Sequence, residues 1–276
     1  MKHLRIETIK LSLLGMLCIV LYAPTFSMFL YDWRHDDNYS HGFLVPFIVG
    51  YIVWTKWDTL RKLVPQPSVW GLVMLIFGLF IYLAGTIGAE WFLRRSSLIV
   101  VVGGLIWYLY GRSCFTTLLF PLVFLIFAIP LPAIIYKSFA FQLQLLVAKV
   151  SAGLMTFFGY SVYRSGNILE IRHGPLEVAE ACSGMRSIMA LLALSSLFAY
   201  ITGGSRRRQW FLTACALPVA VVTNIVRITS TGIVGHYWGL DAAGNFEQWA
   251  GFAVLVVALL LLCLISALLS RISVST

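Results

Sequence analysis

The chain has 276 residues, of which 60% are hydrophobic and only 11% are charged. Soluble domains average roughly 25% charged residues, so this composition excludes an ordinary soluble domain and indicates a membrane protein built from apolar helices. The formal net charge of +9 comes largely from basic residues in short loops between apolar runs. That pattern orients membrane helices, and it does not predict nucleic-acid binding.

Apolar runs predict five membrane spans in the first half of the chain. The first run is too long for the apolar core of a signal peptide, so we expect it to be retained. The fifth ends at Pro130-Leu131-Pro132, because proline cannot continue a helix. The predicted spans are about Leu11–Leu30, Gly42–Trp54, Val69–Ile87, Leu98–Tyr110 and Phe115–Ile129.

The second half of the chain mixes further spans with two segments of another kind. Ala133–Tyr160 carries polar residues at helical spacing, which predicts an amphipathic helix. Ser161–Glu177 alternates in short runs broken by glycine and proline, which predicts a small β-hairpin outside the bilayer. Three more spans follow, at Ala181–Ile201, Trp210–His236 and about Phe246–Leu269.

These elements predict an all-α polytopic membrane protein with about eight transmembrane helices. An amphipathic helix and an extracytoplasmic hairpin precede the helix that follows Cys182. The sequence contains no internal repeat and no low-complexity linker, so one integral membrane domain over residues 1–276 is the simplest prediction.

The arginine triplet Arg206–Arg208 is the main topology signal. If Ala133–Tyr160 does not cross the membrane, eight spans place both termini and the triplet in the cytoplasm, as the positive-inside rule requires. If that segment does cross, the triplet faces outward, against the rule. The sequence leaves this alternative open.

One of the five cysteines has polar neighbours. Cys182 stands among Glu180, Ser183 and Arg186 at the start of an apolar helix, where the helix dipole favours a thiolate. Cys182 is therefore a candidate nucleophile; the alternative is a buried cysteine that packs as a small hydrophobic residue. No C-x-x-C pair or metal-ligand spacing occurs, and neither a metal nor a cofactor is predicted.

Three residues of the last two helices are predicted to lie at the same membrane face as Cys182. Counted from Arg206–Arg208 at ~1.5 Å per residue, Cys182 and Arg227 lie ~36 and ~28 Å along their helices, against a hydrocarbon core ~30 Å thick. His236 lies further along the Arg227 helix, and Glu247 opens the last helix on the same side. His236 is a candidate base, with an interfacial role beside neighbouring aromatic residues as the alternative.

Arg227 interrupts an otherwise apolar helix. A guanidinium in that position costs several kcal/mol unless it has a partner or water, so a functional role is the working hypothesis. Beside a thiol it would favour the thiolate and stabilise an oxyanion during acyl transfer. The alternatives are a snorkelling anchor and a structural ion pair.

Four segments resemble the exosortases and archaeosortases, polytopic membrane enzymes thought to act as cysteine transpeptidases on C-terminal sorting signals. These segments are Tyr39–Pro46, Val178–Arg186, Asn224–Arg227 and Trp249–Gly251. The resemblance implies that Cys182 is the nucleophile that forms the acyl-enzyme and that Arg227 is the second catalytic residue, as proton donor or oxyanion partner. The polar residues of these segments are predicted to contact substrate: Ser40, His41, Glu180, Ser183, Arg186 and Asn224.

The third catalytic position departs from that family. Bacterial members carry a histidine four residues before the glycine of the last helix and archaeal members an arginine, whereas Glu247 stands four before Gly251 here. Three alternatives follow. His236 or His41 supplies the imidazole, Glu247 takes another role, or the chain is a divergent or impaired member.

The resemblance also implies a substrate class and a location. The partners would be membrane-anchored proteins whose tail has a Pro-Glu-Pro-type motif, one membrane span and a basic cluster. The enzyme would lie among the lipids of the bacterial inner membrane, with its active site facing the periplasm. The competing hypotheses are a transporter or exopolysaccharide and envelope assembly factor with a non-catalytic Cys182, and a protease that releases its product to water. No oligomeric state is predicted.

Overall fold

The computed structural model describes residues 2–178 and 185–274, and most of these residues are helical. Within this part of the chain, seven helices are long and apolar enough to cross a membrane. The chain divides into two compact units, Met1–Pro132 and Ala133–Thr276. The second unit includes a small antiparallel sheet. The predicted all-α polytopic architecture is therefore confirmed.

The first unit consists of helices and short connections. Three of its helices, α1, α4 and α5, are long and apolar enough to span a bilayer. Its α-helices are α1 (Lys2–His35), α2 (Leu44–Thr55), α3 (Trp57–Lys62), α4 (Val69–Ile87), α5 (Trp91–Tyr110), α6 (Arg112–Thr117) and α7 (Leu119–Phe124), and two 3-10 helices cover Asp37–Phe43 and Leu125–Ala128.

Two of the eight predicted spans do not form a helix long enough to cross a bilayer. The segment predicted at Gly42–Trp54 forms α2, whose 12 residues extend only about 18 Å against a hydrocarbon core of about 30 Å. The segment predicted at Phe115–Ile129 is divided among α6, α7 and a 3-10 turn. Pro121 explains the break before α7, because it cannot donate to the carbonyl four residues earlier and its ring crowds that carbonyl.

The irregular backbone after α7 is held by side chains from the end of α1 and from the 3-10 helix Asp37–Phe43. Trp33 Nε1 donates to the carbonyl of Ala128 at 2.9 Å, and His41 Nε2 lies 3.1 Å from the carbonyl of Phe127. The backbone N–H of Leu131 donates to the Tyr39 hydroxyl at 3.2 Å. Backbone groups left unpaired in an apolar environment are costly, and these contacts satisfy three of them.

Polar contacts also join α1 to α4 and α5. Asp32 forms an ion pair with Arg95, which is buried. The Tyr22 and Ser97 hydroxyls lie 2.8 Å apart, and Tyr82 donates to a carbonyl of α1. These contacts fix the rotation of α1 about its axis within the first unit.

The described residues of the second unit form four long helices and three short strands. Each of the four helices meets the length and hydropathy expected of a span, including the segment predicted to be amphipathic. Two of the eight predicted spans are thus too short to cross a bilayer, and the helix predicted to be amphipathic is long enough. The described residues therefore contain seven candidate spans in place of the predicted eight. The elements are α8 (Ala133–Phe157), β1 (Tyr163–Ser165), β2 (Ile168–Ile171), β3 (Gly174–Glu177), α9 (Met185–Thr202), α10 (Arg206–Trp238) and α11 (Leu240–Val274).

The predicted hairpin is present and gains a third strand. Strand β2 pairs with β1 and with β3, both antiparallel, in the order β1-β2-β3. Each connection has two residues, and Gly166 adopts a φ of 62° in the first of them, a conformation that glycine reaches without strain.

One face of the sheet packs on α8 and α10. A buried cluster joins Leu169 of β2 and the nearby Val178 to Val147 and Ile228 of the two helices. Helices α8 and α10 approach closely here, because a Cβ on Gly232 would lie only 2.7 Å from the sulfur of Met155. The sheet is therefore fixed at the end of α10 opposite to the arginine triplet.

Two tight turns join α9, α10 and α11. Gly204 (φ 96°) lies in the first turn and Gly239 (φ 88°) in the second, both in the left-handed region that favours glycine. Arg208 Nη2 donates to the hydroxyl and carbonyl of Ser266 near the far end of α11. Helices α10 and α11 are therefore antiparallel neighbours.

Candidate active site

A cavity of about 520 Å³ lies between α9, α10 and α11 in the second unit. Its lining combines two arginines, a glutamate and a glutamine with small and apolar residues. The lining residues are Arg186, Ser187, Ala190, Arg227, Gly244, Glu247, Gln248, Gly251, Phe252 and Leu255. Arg186 is the second residue of α9 and Gly244 lies near the start of α11, so the cavity is at the end of the helices where the sheet packs.

Arg227 is the most buried charged group of this cavity, with only 9% of its surface exposed. Among the described residues, no group accepts a hydrogen bond from its Nε or Nη2 atoms. A guanidinium presents five donors and stays charged, so a buried one with unused donors requires an anion or water. The cavity is the space in which such a partner would lie.

Helix α11 presents a glycine to the Arg227 guanidinium. A Cβ built on Gly251 would lie 3.9 Å from Arg227 Nη1, which places the cation directly beside this helix. Glu247 is one turn earlier on the same face, since residues four apart in a helix are neighbours. The structure therefore brings Arg227, Glu247 and Arg186 together, with two cations to one carboxylate.

Several predicted site residues do not line the cavity. Asn224 lies one turn before Arg227 and is 1% exposed, packed within the second unit. His236 is half-buried near the end of α10, with its ring centroid 5.3 Å from that of Tyr160 and 5.8 Å from that of Tyr237. Its Nδ1 atom is buried and lacks a hydrogen-bond partner within the described part of the chain.

The remaining predicted residues lie elsewhere. Ser40 and His41 belong to the first unit, where Ser40 donates to the carbonyl of Asp37 at 3.1 Å and His41 contacts Phe127. Burial lowers the pKa of His41 below its ordinary value, which favours the neutral ring that donates from Nε2. Glu180, Cys182 and Ser183 lie outside the described residues.

Both ends of the segment that carries Cys182 can be followed. On one side, the backbone N–H of Val178 donates to the carbonyl of Asn167 at 2.9 Å, and Val178 is fully buried. On the other side, α9 begins at Met185, and the next residue lines the cavity. The segment 179–184 therefore connects the sheet to the helix that forms one wall of the cavity.

Seven of the ten lining residues were not predicted as site residues: Ser187, Ala190, Gly244, Gln248, Gly251, Phe252 and Leu255. Ser187 and Gln248 each follow a predicted residue directly, but adjacency in a helix does not predict which side chains share a cavity. Phe252 looks like any lipid-facing residue of an apolar helix. Within the described residues, no three histidine, cysteine, aspartate or glutamate side chains form a group that could hold a metal ion.

A family model for transmembrane exosortases matches residues 33–264. The chain belongs to the transmembrane exosortase family. No curated protein and no solved structure matches the chain. Membership in this family supports two conclusions: the chain is a multi-pass membrane protein, and it acts as a protein-sorting transpeptidase. The transpeptidases of this family are generally cysteine enzymes. The match includes α9, α10 and most of α11, the three helices that line the cavity.

Proposed function

We propose that this exosortase cleaves C-terminal sorting signals by acyl transfer through Cys182. The observation that carries the proposal is the buried Arg227, whose Nε and Nη2 have no acceptor among the described residues and which lines the cavity. Cys182 precedes the cavity-lining Arg186 by four residues, and four residues of chain span at most about 14 Å. Cys182 is therefore close in the chain to a residue that lines the same cavity as Arg227.

The proposed reaction has two steps. The Cys182 thiolate attacks the scissile carbonyl carbon, and the C–N bond then breaks to leave a thioester and a free amine. Arg227 donates hydrogen bonds to the oxyanion that forms in between, because its fork can place two N–H groups on one side of the reacting group. A second nucleophile, an amine or water, attacks the thioester and releases the thiol.

A base must take the thiol proton and later protonate the leaving amine. Glu247 lines the same cavity as Arg227, whereas His236 contacts Tyr160 and Tyr237. This favours Glu247 as the residue that moves the proton, in the position where related enzymes carry histidine or arginine. Arg227 and Arg186 line the same cavity as this carboxylate.

The proposed substrates are membrane-anchored proteins with a Pro-Glu-Pro-type motif, one membrane span and a basic tail. The proposed location is the bacterial inner membrane, with the cavity at the periplasmic face. The arginine triplet supports this location by the positive-inside rule, because it lies at the opposite end of α10 from the sheet. With the N-terminus inside, a cytoplasmic triplet requires that α8, although long enough to span, does not cross the membrane. Helix α10 has 33 residues and extends about 50 Å, enough to separate its ends by a whole bilayer.

Cysteine labelling tests this orientation. In a background with all five cysteines replaced by alanine, single-cysteine probes at Asn167 and Gly244 should react with a membrane-impermeant maleimide added from outside, while a probe at Gly204 should not. Gly244 and Gly204 are exposed and lie at opposite ends of the helices, so accessibility reports the side of the membrane. All three should react after the membrane is permeabilised. The reverse pattern in intact cells would contradict a periplasmic site.

A comparison of Glu247 with His236 tests the proposed base. Glu247→Gln keeps the shape but removes the charge, and we expect cleavage of a tail-bearing reporter to fall about 100-fold, the usual worth of general-base catalysis. His236→Phe keeps a ring against Tyr160, and we expect its rate to stay within about threefold of the parent.

The opposite ranking would identify His236 as the base. A third variant, Glu247→His, tests whether glutamate at this position impairs the enzyme. If it cleaves the reporter faster than the parent, the chain is an impaired member of its family at this position, and Glu247 has no catalytic role.

A further inference from the structure

Strand β3 lies at the edge of the sheet and leads directly into the segment that carries Cys182. In the order β1-β2-β3, it pairs only with β2 among the described residues. The strand ends at Glu177, five residues before Cys182. Its first residue is close to the start of α11, because a Cβ on Gly174 would lie 3.3 Å from Leu240 Cδ1. The strand thus lies beside the helix that contributes Glu247 to the cavity.

The pairing register shows which backbone groups of β3 are already used. Ile171 and Gly174 close a two-residue turn, and such closing pairs exchange hydrogen bonds. Val178 also donates to the carbonyl of Asn167, the residue directly before β2. Because hydrogen-bonding positions alternate in antiparallel pairs, the even-numbered residues 174, 176 and 178 face β2, and residues 175 and 177 face away.

The outward edge of β3 offers a short row of unused groups. These are the carbonyl of Pro175 and both the N–H and the carbonyl of Glu177, none of which forms a backbone hydrogen bond within the described part of the chain. Pro175 has no N–H, and its position on the outer edge is where a strand tolerates proline. One face of β3 is fixed, because the Leu176 side chain packs against the buried cluster that joins the sheet to α8 and α10.

We propose that this edge binds the polypeptide substrate as an added fourth strand and delivers the scissile bond to Cys182. An edge whose outward donors and acceptors are unpaired among the described residues is a template for an extended peptide, and main-chain pairing of this kind tolerates many side chains. The inference rests on the proposed transpeptidase function. It adds the recognition mode: main-chain pairing to Pro175 and Glu177, with the chain running from the edge to the cavity.

The main test compares three substitutions. Glu177→Pro removes the single outward N–H and blocks the edge, while Glu177→Ala keeps the backbone. Arg164→Pro is the matched control, because Arg164 faces outward on the opposite edge strand, β1. The probe is a reporter protein with a Pro-Glu-Pro motif, an apolar span and a basic tail. We expect Glu177→Pro to raise the KM for reporter cleavage at least about fivefold over Glu177→Ala, the worth of one backbone hydrogen bond. Arg164→Pro should match the parent.

Photo-crosslinking gives a second measurement that requires no turnover. In the Cys182→Ala protein, a photoreactive phenylalanine at position 177 should capture the reporter, and the same group at position 164 should not. Equal capture at both positions, or at neither, contradicts strand addition. If Glu177→Pro fails to accumulate in the membrane, this measurement still shows whether the reporter binds along β3.

The two proposals fail in different ways. If Cys182→Ala abolishes cleavage but Glu177→Pro behaves like Glu177→Ala, substrate does not bind along β3 and the transpeptidase function stands. If Cys182→Ala still cleaves the reporter, the transpeptidase function is wrong, whatever the crosslinking shows.

Discussion

Replacement of Cys182 by alanine or serine is expected to lower cleavage of a tail-bearing reporter by at least about a thousandfold, because loss of a nucleophile removes the covalent path altogether. The protein should still accumulate in the membrane, since one small side chain is exchanged for another of similar size. Cleavage is measured from the ratio of processed to full-length reporter, and membrane accumulation from the same cells.

The other four cysteines provide the matched control. Each is a free thiol in a helix of the described structure, and alanine at any of them should leave cleavage within about threefold of the parent: Cys18, Cys114, Cys215 and Cys263. Full cleavage by Cys182→Ala would remove the enzymatic role of this residue. Capture of a reporter thioester in the parent would exclude a transporter or envelope assembly factor with a non-catalytic Cys182.

The second large effect is expected at Arg227. Alanine should lower the turnover number about 100- to 1,000-fold, the cost of losing an oxyanion donor. Lysine should fail nearly as badly, because it keeps the charge but loses the planar fork that donates two hydrogen bonds in a fixed direction. The measurement is kcat for reporter cleavage in purified protein, with thermal stability followed in parallel.

Arg208 is the control for this pair. It lies on the same helix and donates to Ser266, away from the cavity, so Arg208→Lys should retain the parental kcat. If Arg227→Lys keeps most of the activity, the arginine acts through its charge alone, by favouring the thiolate. Parental turnover in Arg227→Ala would limit this residue to a structural role.

The helical architecture and part of the candidate site could be predicted from the sequence. Apolar runs are long and bounded by charges, so most spans are evident from composition alone. Counting along α10 from the arginine triplet predicted that Arg227 lies at its far end, and Glu247 was expected there because it precedes the last apolar run; the structure brings both to one cavity. This worked because tight turns force α10 and α11 to be neighbours.

Other features depend on contacts that no local pattern reveals. The run Phe115–Ile129 is mostly apolar, and the contacts of Trp33, Tyr39 and His41 that hold the backbone at its end come from about ninety residues earlier in the chain. Strand β3 was predicted only as part of a hairpin, because His173-Gly174-Pro175 has the composition of a loop. His236 could not be separated from the cavity residues, since its distance from them depends on where α10 ends.

The side chains that hold the backbone after α7 have a consequence for biosynthesis. Trp33, Tyr39 and His41 precede their partners, which fall within residues 127–131, by about ninety positions in the chain. They are therefore already translated and inserted when that broken segment leaves the ribosome. A segment that would otherwise enter lipid with unpaired carbonyls meets its hydrogen-bond partners on arrival. The order of the chain thus allows residues 127–131 to form these hydrogen bonds during synthesis, before the rest of the chain is translated.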